Sequence, residues 1–194
     1  MKIIGITGGV GSGKSAAAMI LRDHFNAEVF FTDESARALY EKGKKGYDRI
    51  VGIFKDEVLD KDGNIDRAKL AGLLFNDQKM LDKVNSLIHP LVWDEAVGFI
   101  EDGRKSGAKL LVIESAILIE AGYRKLCDEV WYVKADEEVR RERLKRDRNY
   151  SDERIERVFA NQAQDGQYLE NCDKIIDNSK GFDELLEEVS RALK

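Results

Sequence analysis

Cysteine, proline and long apolar runs are scarce in this chain, and each scarcity excludes a class of protein. Among 194 residues there are two cysteines, Cys127 and Cys172, and neither lies in a CxxC or Cys/His spacing. We therefore expect reduced thiols in a cytoplasmic protein, with no disulfide and no zinc site. The apolar runs, such as residues 110–113, are too short to span a membrane, and the amino terminus lacks the features of a signal peptide.

The chain also lacks any linker, repeat or low-complexity tract, so its length favours one domain with an insertion. Its net charge is −5, and an acidic chain is a poor general ligand for nucleic acid, because neutralising a phosphate backbone requires a basic face. A small anionic ligand requires only a local cluster of positive charge. We expect a small-molecule substrate, no nucleic-acid or membrane partner, and a monomer or weak homo-oligomer.

Apolar, β-branched runs alternate with helical patterns, which predicts a three-layer α/β fold around a five-stranded parallel sheet with right-handed crossovers. The predicted strands cover residues 2–7, 28–32, 109–114, 129–133 and 174–177. Residues 34–107 carry apolar side chains at helical spacing and predict a helical insertion, in which Pro90 is expected to open a helix. Residues 182–193 predict an amphipathic helix whose apolar face begins with Phe182 and is buried.

Glycine is concentrated at the start of the chain, where Gly8-x-x-x-x-Gly13-Lys14-Ser15 lies between a predicted strand and a predicted helix over residues 14–25. This is the P-loop pattern, in which backbone N–H groups and a helix amino terminus surround phosphate groups. We predict that Lys14 reaches the β- and γ-phosphates of ATP and that the Ser15 hydroxyl helps to hold Mg²⁺. The residues expected to contact the nucleotide here are Gly9, Val10, Gly11, Ser12, Gly13, Lys14, Ser15 and Ala16.

Other nucleotide-binding classes fit the sequence less well. A dinucleotide fingerprint requires GxGxxG spacing, which is absent, and a GTPase requires an N-K-x-D box, which is also absent. The D-x-x-G match at residues 60–63 lies in a polar stretch that predicts a solvated turn. The length favours a kinase of small metabolites, while a nucleoside monophosphate kinase and a non-enzymatic ATP-binding regulator stay open.

Two acidic residues follow predicted strands, at the sheet edge where parallel α/β proteins bind ligands. Asp33 is a candidate general base for the acceptor hydroxyl, and its alternative role is to cap a helix over residues 34–40. Glu114 ends the third strand and is a candidate ligand of Mg²⁺, directly or through water. The alternative for Glu114 is a structural role, in which the carboxylate at the end of the strand accepts hydrogen bonds from backbone groups.

Residues 137–148 concentrate positive charge in an acidic chain. Ion pairs at i, i+4 spacing, such as Glu137 with Arg141 and Arg143 with Asp147, would make this a solvated helix. Phosphoryl transfer also requires positive charge over the γ-phosphate. The candidates for that role are Arg140, Arg143 and Arg146.

Several motifs, in this order, make the chain resemble the dephospho-coenzyme A kinase family over nearly its whole length. They are residues 7–15, Asp33 with Ala36 and Arg37, residues 88–91 around His89, Arg146 with Asp147, the predicted helix 157–162 ending in Gln, and residues 176–178. The chain departs from the family in two places. Ala16 stands where the family usually has Thr, and residues 116–120 replace Pro-Leu-Leu-Phe-Glu while keeping Glu120.

The resemblance implies transfer of the γ-phosphate of ATP, with Mg²⁺, to the ribose 3′-hydroxyl of dephospho-CoA, with Asp33 as base. It implies a P-loop kinase fold with a nucleotide core from residues 1–33, 108–136 and 170–194, a helical acceptor subdomain from 34–107 and a lid from 137–169. It suggests Asp33, Arg37, His89 and Glu120 as acceptor contacts. It also implies that Asn178 and the turn after it lie near adenine.

Overall fold

Five strands form one sheet in the order β2-β3-β1-β4-β5 in the computed structural model, which describes residues 1–75, 77–160, 162 and 165–194. The strands are β1 Lys2–Thr7, β2 Glu28–Phe31, β3 Leu110–Glu114, β4 Glu129–Lys134 and β5 Lys174–Asp177. β1 pairs in parallel with β3 and β4, and β4 pairs in parallel with β5. The predicted α/β fold with a five-stranded parallel sheet is therefore confirmed.

Nine α-helices are found among the described residues. They are α1 Lys14–Phe25, α2 Thr32–Ala38, α3 Lys45–Phe54, α4 Arg67–Leu74, α5 Gln78–Ser106, α6 Glu137–Arg148, α7 Asp152–Ala160, α8 Asp165–Asn171 and α9 Phe182–Leu193. Short 3₁₀ turns cover Lys55–Val58 and Tyr123–Leu126. Within the described part of the chain, no helix combines the length and the apolar character needed to cross a membrane.

The sheet supplies the core because its central strands β1, β3 and β4 are buried except at some end residues. All five residues of β3 are buried, as expected for a strand covered on both faces. The side chains of Ile4, Ile6 and Trp131 have no more than trace exposure. This core fixes the carboxyl end of β1, where the glycine-rich segment begins.

The chain divides into two compact units. Unit 1 comprises residues 1–30 and 100–194 and contains the sheet apart from the end of β2. Unit 2 comprises residues 31–99 and is mainly helical. Within unit 2 the D-x-x-G stretch is a turn, in which the Asp60 carboxylate accepts hydrogen bonds from the N–H groups of Asp62 and Asn64, each at 2.9 Å.

The prediction that Pro90 opens a helix is wrong, because Pro90 lies inside the 29-residue helix α5. Proline cannot donate to the carbonyl of Ser86, which weakens this turn. In the same turn the Arg49 guanidinium donates to the carbonyl of Leu87 at 2.6 Å. Buried side chains nevertheless continue along the helix on both sides of the proline; they are Val84, Ile88, Val92 and Ala96.

The predicted end of the second strand and the first residue of the last helix also need correction. β2 ends at Phe31 and α2 begins at Thr32, so Asp33 lies in the first helical turn and does not cap the helix. In α9, Leu185 and Val189 are buried as predicted, but Phe182 is 58% exposed. Phe182 is the first residue of the helix, and the buried residues of the helix begin one turn later at Leu185.

Candidate nucleotide site

The glycine-rich segment turns sharply between β1 and α1. Gly8, Gly11 and Gly13 have φ values of +148°, +82° and +91°, which side chains rarely tolerate. The N–H of Ser12 donates to the carbonyl of Gly9 at 3.2 Å, and the Lys14 ammonium donates to the same carbonyl at 3.2 Å. The ammonium group therefore lies across the loop, ahead of the amino terminus of α1, where a helix favours negative charge.

Glycine at two of these positions is also required by packing. A Cβ atom at Gly8 would lie 2.2 Å from the carbonyl oxygen of Val133 in β4. A Cβ atom at Gly13 would lie 2.0 Å from Nδ2 of Asn178, which follows β5. The loop is therefore pressed against the carboxyl ends of two neighbouring strands, and its backbone is the surface left open to a ligand.

We expect Gly8→Ala to lower the free energy of unfolding by about 1–3 kcal/mol, because it adds backbone strain and a contact with an immobile carbonyl. Gly52→Ala is the matched control. Gly52 lies within α3 with nothing within 4 Å of an added Cβ atom, so alanine should raise stability by about 0.5–1 kcal/mol. Urea denaturation measures both; a Gly8→Ala protein as stable as the wild type would contradict the packing described here.

Asn178 connects β5 to the loop. It is 6% exposed, its Nδ2 donates to the carbonyl of Ser12 at 2.7 Å, and its N–H donates to the carbonyl of Lys134 at 2.8 Å. The following turn is held by Asp177, whose Oδ1 accepts from the Ser179 N–H and hydroxyl. Those bonds to Ser179 hold the pKa of the Asp177 carboxyl below its usual value.

Helix α6 packs on the first half of the loop through Arg140. Its Nε donates to the carbonyl of Val10 at 3.0 Å, its Nη2 donates to Oε1 of Gln162, and its guanidinium lies 4.3 Å from the ring centre of Phe159. A Cβ atom at Gly11 would lie 3.1 Å from the carbonyl of Arg140. Arg140 therefore binds the loop backbone, a contact that sequence spacing gave no means of foreseeing.

Arg143 lies over the second half of the loop. Its Nη2 faces the carbonyl of Lys180 at 3.4 Å and Oδ1 of Asn178 at 3.5 Å, while its Nη1 is buried with no hydrogen-bond acceptor among the described residues. Burial lowers the pKa of its guanidinium, with a smaller contribution from the charge of Arg146. A half-buried cation whose Nη1 is an unused, buried donor is suited to an anionic ligand.

Arg141 and Arg146 of α6 are engaged in surface ion pairs. Arg141 pairs with Glu137, as predicted, at 2.7 Å and with Glu156 at 2.5 Å. The predicted pair of Arg143 with Asp147 is wrong, because Asp147 pairs with Arg146 at 2.6 Å. Arg146 is exposed, whereas Arg143 is half-buried and faces Asn178.

Two cavities adjoin the loop and share Gly13, Arg143 and Asp147 in their walls. The smaller, of about 250 Å³, is also lined by Lys14, Ser15 and Arg148 and concentrates cationic groups. The larger, of about 580 Å³, is within the usual size range of small-molecule sites. Its wall includes Ala16, Arg146, Asn178, Lys180 and Phe182.

Two oxygen donors near the loop fit a magnesium ion chemically. Ser15 is exposed in the first turn of α1, and Glu114 is 6% exposed where β3 pairs with Ile6 of β1. Mg²⁺ takes oxygen ligands and is usually held by one or two protein groups together with substrate phosphates. Among the described residues, no group of three or more His, Cys, Asp or Glu side chains is placed to hold a metal ion.

The candidate acceptor residues of unit 2 lie on α2 and α5. Asp33 and Arg37 are both exposed, and their i, i+4 spacing puts them on one face of α2. The hydroxyl of the buried Ser35 donates to Glu95 of α5 at 2.5 Å and holds α2 in place. His89 is half-buried on α5, and burial lowers its pKa.

Glu120 is not brought to the loop. Glu120 is exposed in a turn after β3. Burial and the charge of Asp173 raise the pKa of the Cys172 thiol to about 11, and the charge of Glu120 makes a smaller contribution in the same direction. Cys172 precedes β5, at the amino-terminal edge of the sheet, whereas the loop follows the carboxyl end of β1. Neighbouring parallel strands point the same way, so these two edges are opposite.

Among the residues that line the two cavities, Arg148 and Phe182 were not expected from sequence, whereas Lys180 lies in the turn after Asn178 that the resemblance implied. Arg148 lines the smaller cavity, and Lys180 and Phe182 line the larger one. The rule that ligands bind beyond the carboxyl ends of parallel strands points to the segment after β5 and thus to Lys180 and Phe182. Periodicity assigned Phe182 to the buried stripe instead, and nothing in the spacing of α6 distinguishes Arg148 from its neighbours.

A parallel sheet with a phosphate-binding loop after β1 and cationic groups from α6 over that loop defines a P-loop kinase fold. The family model for dephospho-CoA kinase (CoaE) matches residues 2–184. The chain therefore belongs to the dephospho-CoA kinase family, a family of phosphotransferases.

Individual relatives agree with this assignment. The dephospho-CoA kinase of Dehalococcoides mccartyi is 35% identical over 186 residues, which cover 95% of this chain and 92% of that protein. Among solved structures, TT1252 from Thermus thermophilus is 27% identical with a TM-score of 0.82, covering 99% of this chain and 95% of that one. The dephospho-CoA kinase from Campylobacter jejuni is 18% identical with a TM-score of 0.66, at 99% and 95% coverage, and supports the fold alone.

Proposed function

We propose that the chain catalyses the last step of coenzyme A synthesis, transferring the γ-phosphoryl group of ATP to the ribose 3′-hydroxyl of dephospho-CoA. The observation that carries the proposal is the smaller cavity, where Lys14, Ser15 and Arg143 meet at a glycine loop in a member of the dephospho-CoA kinase family. A loop of backbone amides with two converging cations is suited to a triphosphate and has little use for an uncharged ligand.

The cationic side chains around the phosphates have separate roles. Lys14 contacts the β- and γ-phosphates, and the unused donor of Arg143 faces the phosphates from the opposite wall. Arg140 acts on the loop itself through the carbonyl of Val10. Arg146 and Arg148 add positive charge at the rim, where solvent and Asp147 weaken their effect.

The nucleoside end of ATP is assigned to the larger cavity, whose wall joins that of the smaller one at Gly13. The exposed ring of Phe182 offers an apolar face to a base. Ala16 also lines this cavity. Because the family usually has Thr at this position, this chain lacks the hydroxyl group that Thr would present to the nucleotide.

Ser15 and Glu114 are the proposed protein ligands of Mg²⁺. When bound, the ion would neutralise charge on the phosphates; the hydroxyl of Ser15 and the carboxylate of Glu114 are the oxygen donors that would hold it. Glu114 is held in place by its buried position at the end of β3.

At the acceptor end, Asp33 is proposed to take the proton of the ribose 3′-hydroxyl as its oxygen attacks the γ-phosphorus and ADP leaves. Arg37, on the same face of α2, is proposed to bind anionic groups of dephospho-CoA. His89 is proposed as an acceptor contact in its neutral form, which burial favours. Glu120 and the role of residues 137–169 as a lid stay predictions that rest on the resemblance.

Steady-state kinetics with a panel of acceptors test the proposal. We expect kcat/KM for dephospho-CoA to exceed that for AMP by at least about 100-fold, because a site built for specific polar groups rejects ligands that lack them. An analogue of dephospho-CoA with hydrogen at the ribose 3′ position should accept no phosphate. Preference for a nucleoside monophosphate would contradict the acceptor assignment, and ATP binding without any transfer would favour a regulator.

A further inference from the structure

Asn178 is bonded to three parts of unit 1 at once. Its backbone N–H is held by Lys134 of β4, its Nδ2 donates to the carbonyl of Ser12, and its Oδ1 faces the Arg143 guanidinium. Its amide group is thus oriented by contacts on both sides. Asn178 and Ser12 are 166 positions apart in the sequence, and their bond is buried.

The bond to Ser12 fixes one peptide unit of the loop. A trans peptide is planar, so the carbonyl of Ser12 and the N–H of Gly13 point in opposite directions. Because Nδ2 of Asn178 holds the Ser12 carbonyl on its own side, the N–H of Gly13 is directed away from Asn178. Gly13 precedes the first residue of α1, where the backbone N–H groups have no partner within the helix.

The Asn178 amide lies in the space that a side chain at position 13 would occupy. A Cβ atom at position 13 would lie 2.0 Å from Nδ2, so the amide reaches Ser12 only because residue 13 is glycine. Gly13 also has a φ of +91°, a backbone conformation that glycine adopts without strain and other residues rarely adopt. Gly13 and Asn178 therefore form a matched pair that sets the conformation of the loop.

We propose that Asn178 is a positioning residue for the phosphate site, which orients the Ser12–Gly13 peptide and the Arg143 guanidinium and does not read the adenine base. This inference rests on the proposed function, because it concerns the triphosphate site of that reaction. It assigns Asn178 a role that is independent of which base the nucleotide carries. Loss of the side chain should lower the affinity for every ligand that carries a polyphosphate, and leave unchanged the affinity for ligands that have only a base and a sugar.

Calorimetric titration of Asn178→Ala with three probes in the presence of Mg²⁺ tests this role. The probes are ATP, inorganic tripolyphosphate and adenosine. We expect about a tenfold loss of affinity for ATP and the same factor for tripolyphosphate, as for one lost buried hydrogen bond, with adenosine binding unchanged. Asn178→Asp, which keeps the size and the acceptor but loses the donor to Ser12, should show at least the same loss for tripolyphosphate.

Ile176→Val is the matched control, because Ile176 is fully buried in β5, the strand that Asn178 follows, and the change removes a single methyl group. It should lower the melting temperature slightly and leave all three affinities unchanged. A loss confined to ATP and adenosine, or no loss at all, would overturn the positioning role. Wild-type protein that binds neither ATP nor tripolyphosphate would contradict the proposed function itself, which distinguishes the two failures.

Discussion

Lys14→Ala is expected to lower kcat/KM for ATP by about 10²–10³-fold, the usual effect of removing one positioned donor from a site of developing negative charge. In the structure the Lys14 ammonium lies across the loop, 3.2 Å from the carbonyl of Gly9, and lines the cavity that Ser15 and Arg143 also line. The alanine variant keeps the glycines of the loop and loses the cation. Steady-state kinetics with varied ATP measure the effect.

The control for Lys14→Ala is Lys109→Ala. Lys109 is exposed just before β3, at the sheet edge opposite the loop, and its replacement removes the same charge and side chain. Its kinetics should equal those of the wild type. Normal kinetics for Lys14→Ala itself, in a protein with an unchanged melting temperature, would contradict the assignment of the loop as the triphosphate site.

Asp33→Asn is expected to lower kcat by about 10²–10⁴-fold while ATP affinity stays nearly the same. The amide keeps the shape of the carboxylate but cannot accept the proton of the acceptor hydroxyl. Asp33 is exposed in the first turn of α2, so the substitution should have little effect on folding. Single-turnover kinetics and ATP titration measure the two quantities separately.

Glu34→Gln is the matched control for Asp33→Asn, because Glu34 is the next residue, is also exposed and is also in the first turn of α2. It removes the same charge from the same helix terminus on a different face. We expect wild-type turnover. Equal turnover in Asp33→Asn and wild type would remove Asp33 from the chemistry, and a parallel loss in both variants would assign the effect to the helix terminus.

Local sequence patterns predicted most of the sheet and the first helix. The continuous apolar run of β3 gave that strand to within one residue, because a parallel strand covered on both faces is apolar throughout. The short run at β5 gave the correct bounds, although only Ile176 of that strand is buried. The glycine spacing before Lys14 gave the loop, since positive φ values and close approach require glycine there. These features depend on residues that are neighbours in the sequence.

Features that depend on distant partners were missed. Proline normally ends a helix, but the buried side chains of α5 on both sides of Pro90 keep the helix continuous. The apolar spacing of α9 predicted that Phe182 is buried, because a sequence pattern does not show where the surface that covers the helix ends. The contacts of Arg140 with Val10 and of Asn178 with Ser12 join residues 130 and 166 positions apart, and no local pattern specifies them.

The position of the transferred phosphate is the decisive observation for the proposed reaction. With γ-labelled ATP and dephospho-CoA, we expect one label on the ribose 3′-oxygen for each ADP formed, at a rate that falls sharply in both Lys14→Ala and Asp33→Asn. Label on a different oxygen of dephospho-CoA, or ADP formed with the label released as inorganic phosphate, would show that the chain does not catalyse this transfer.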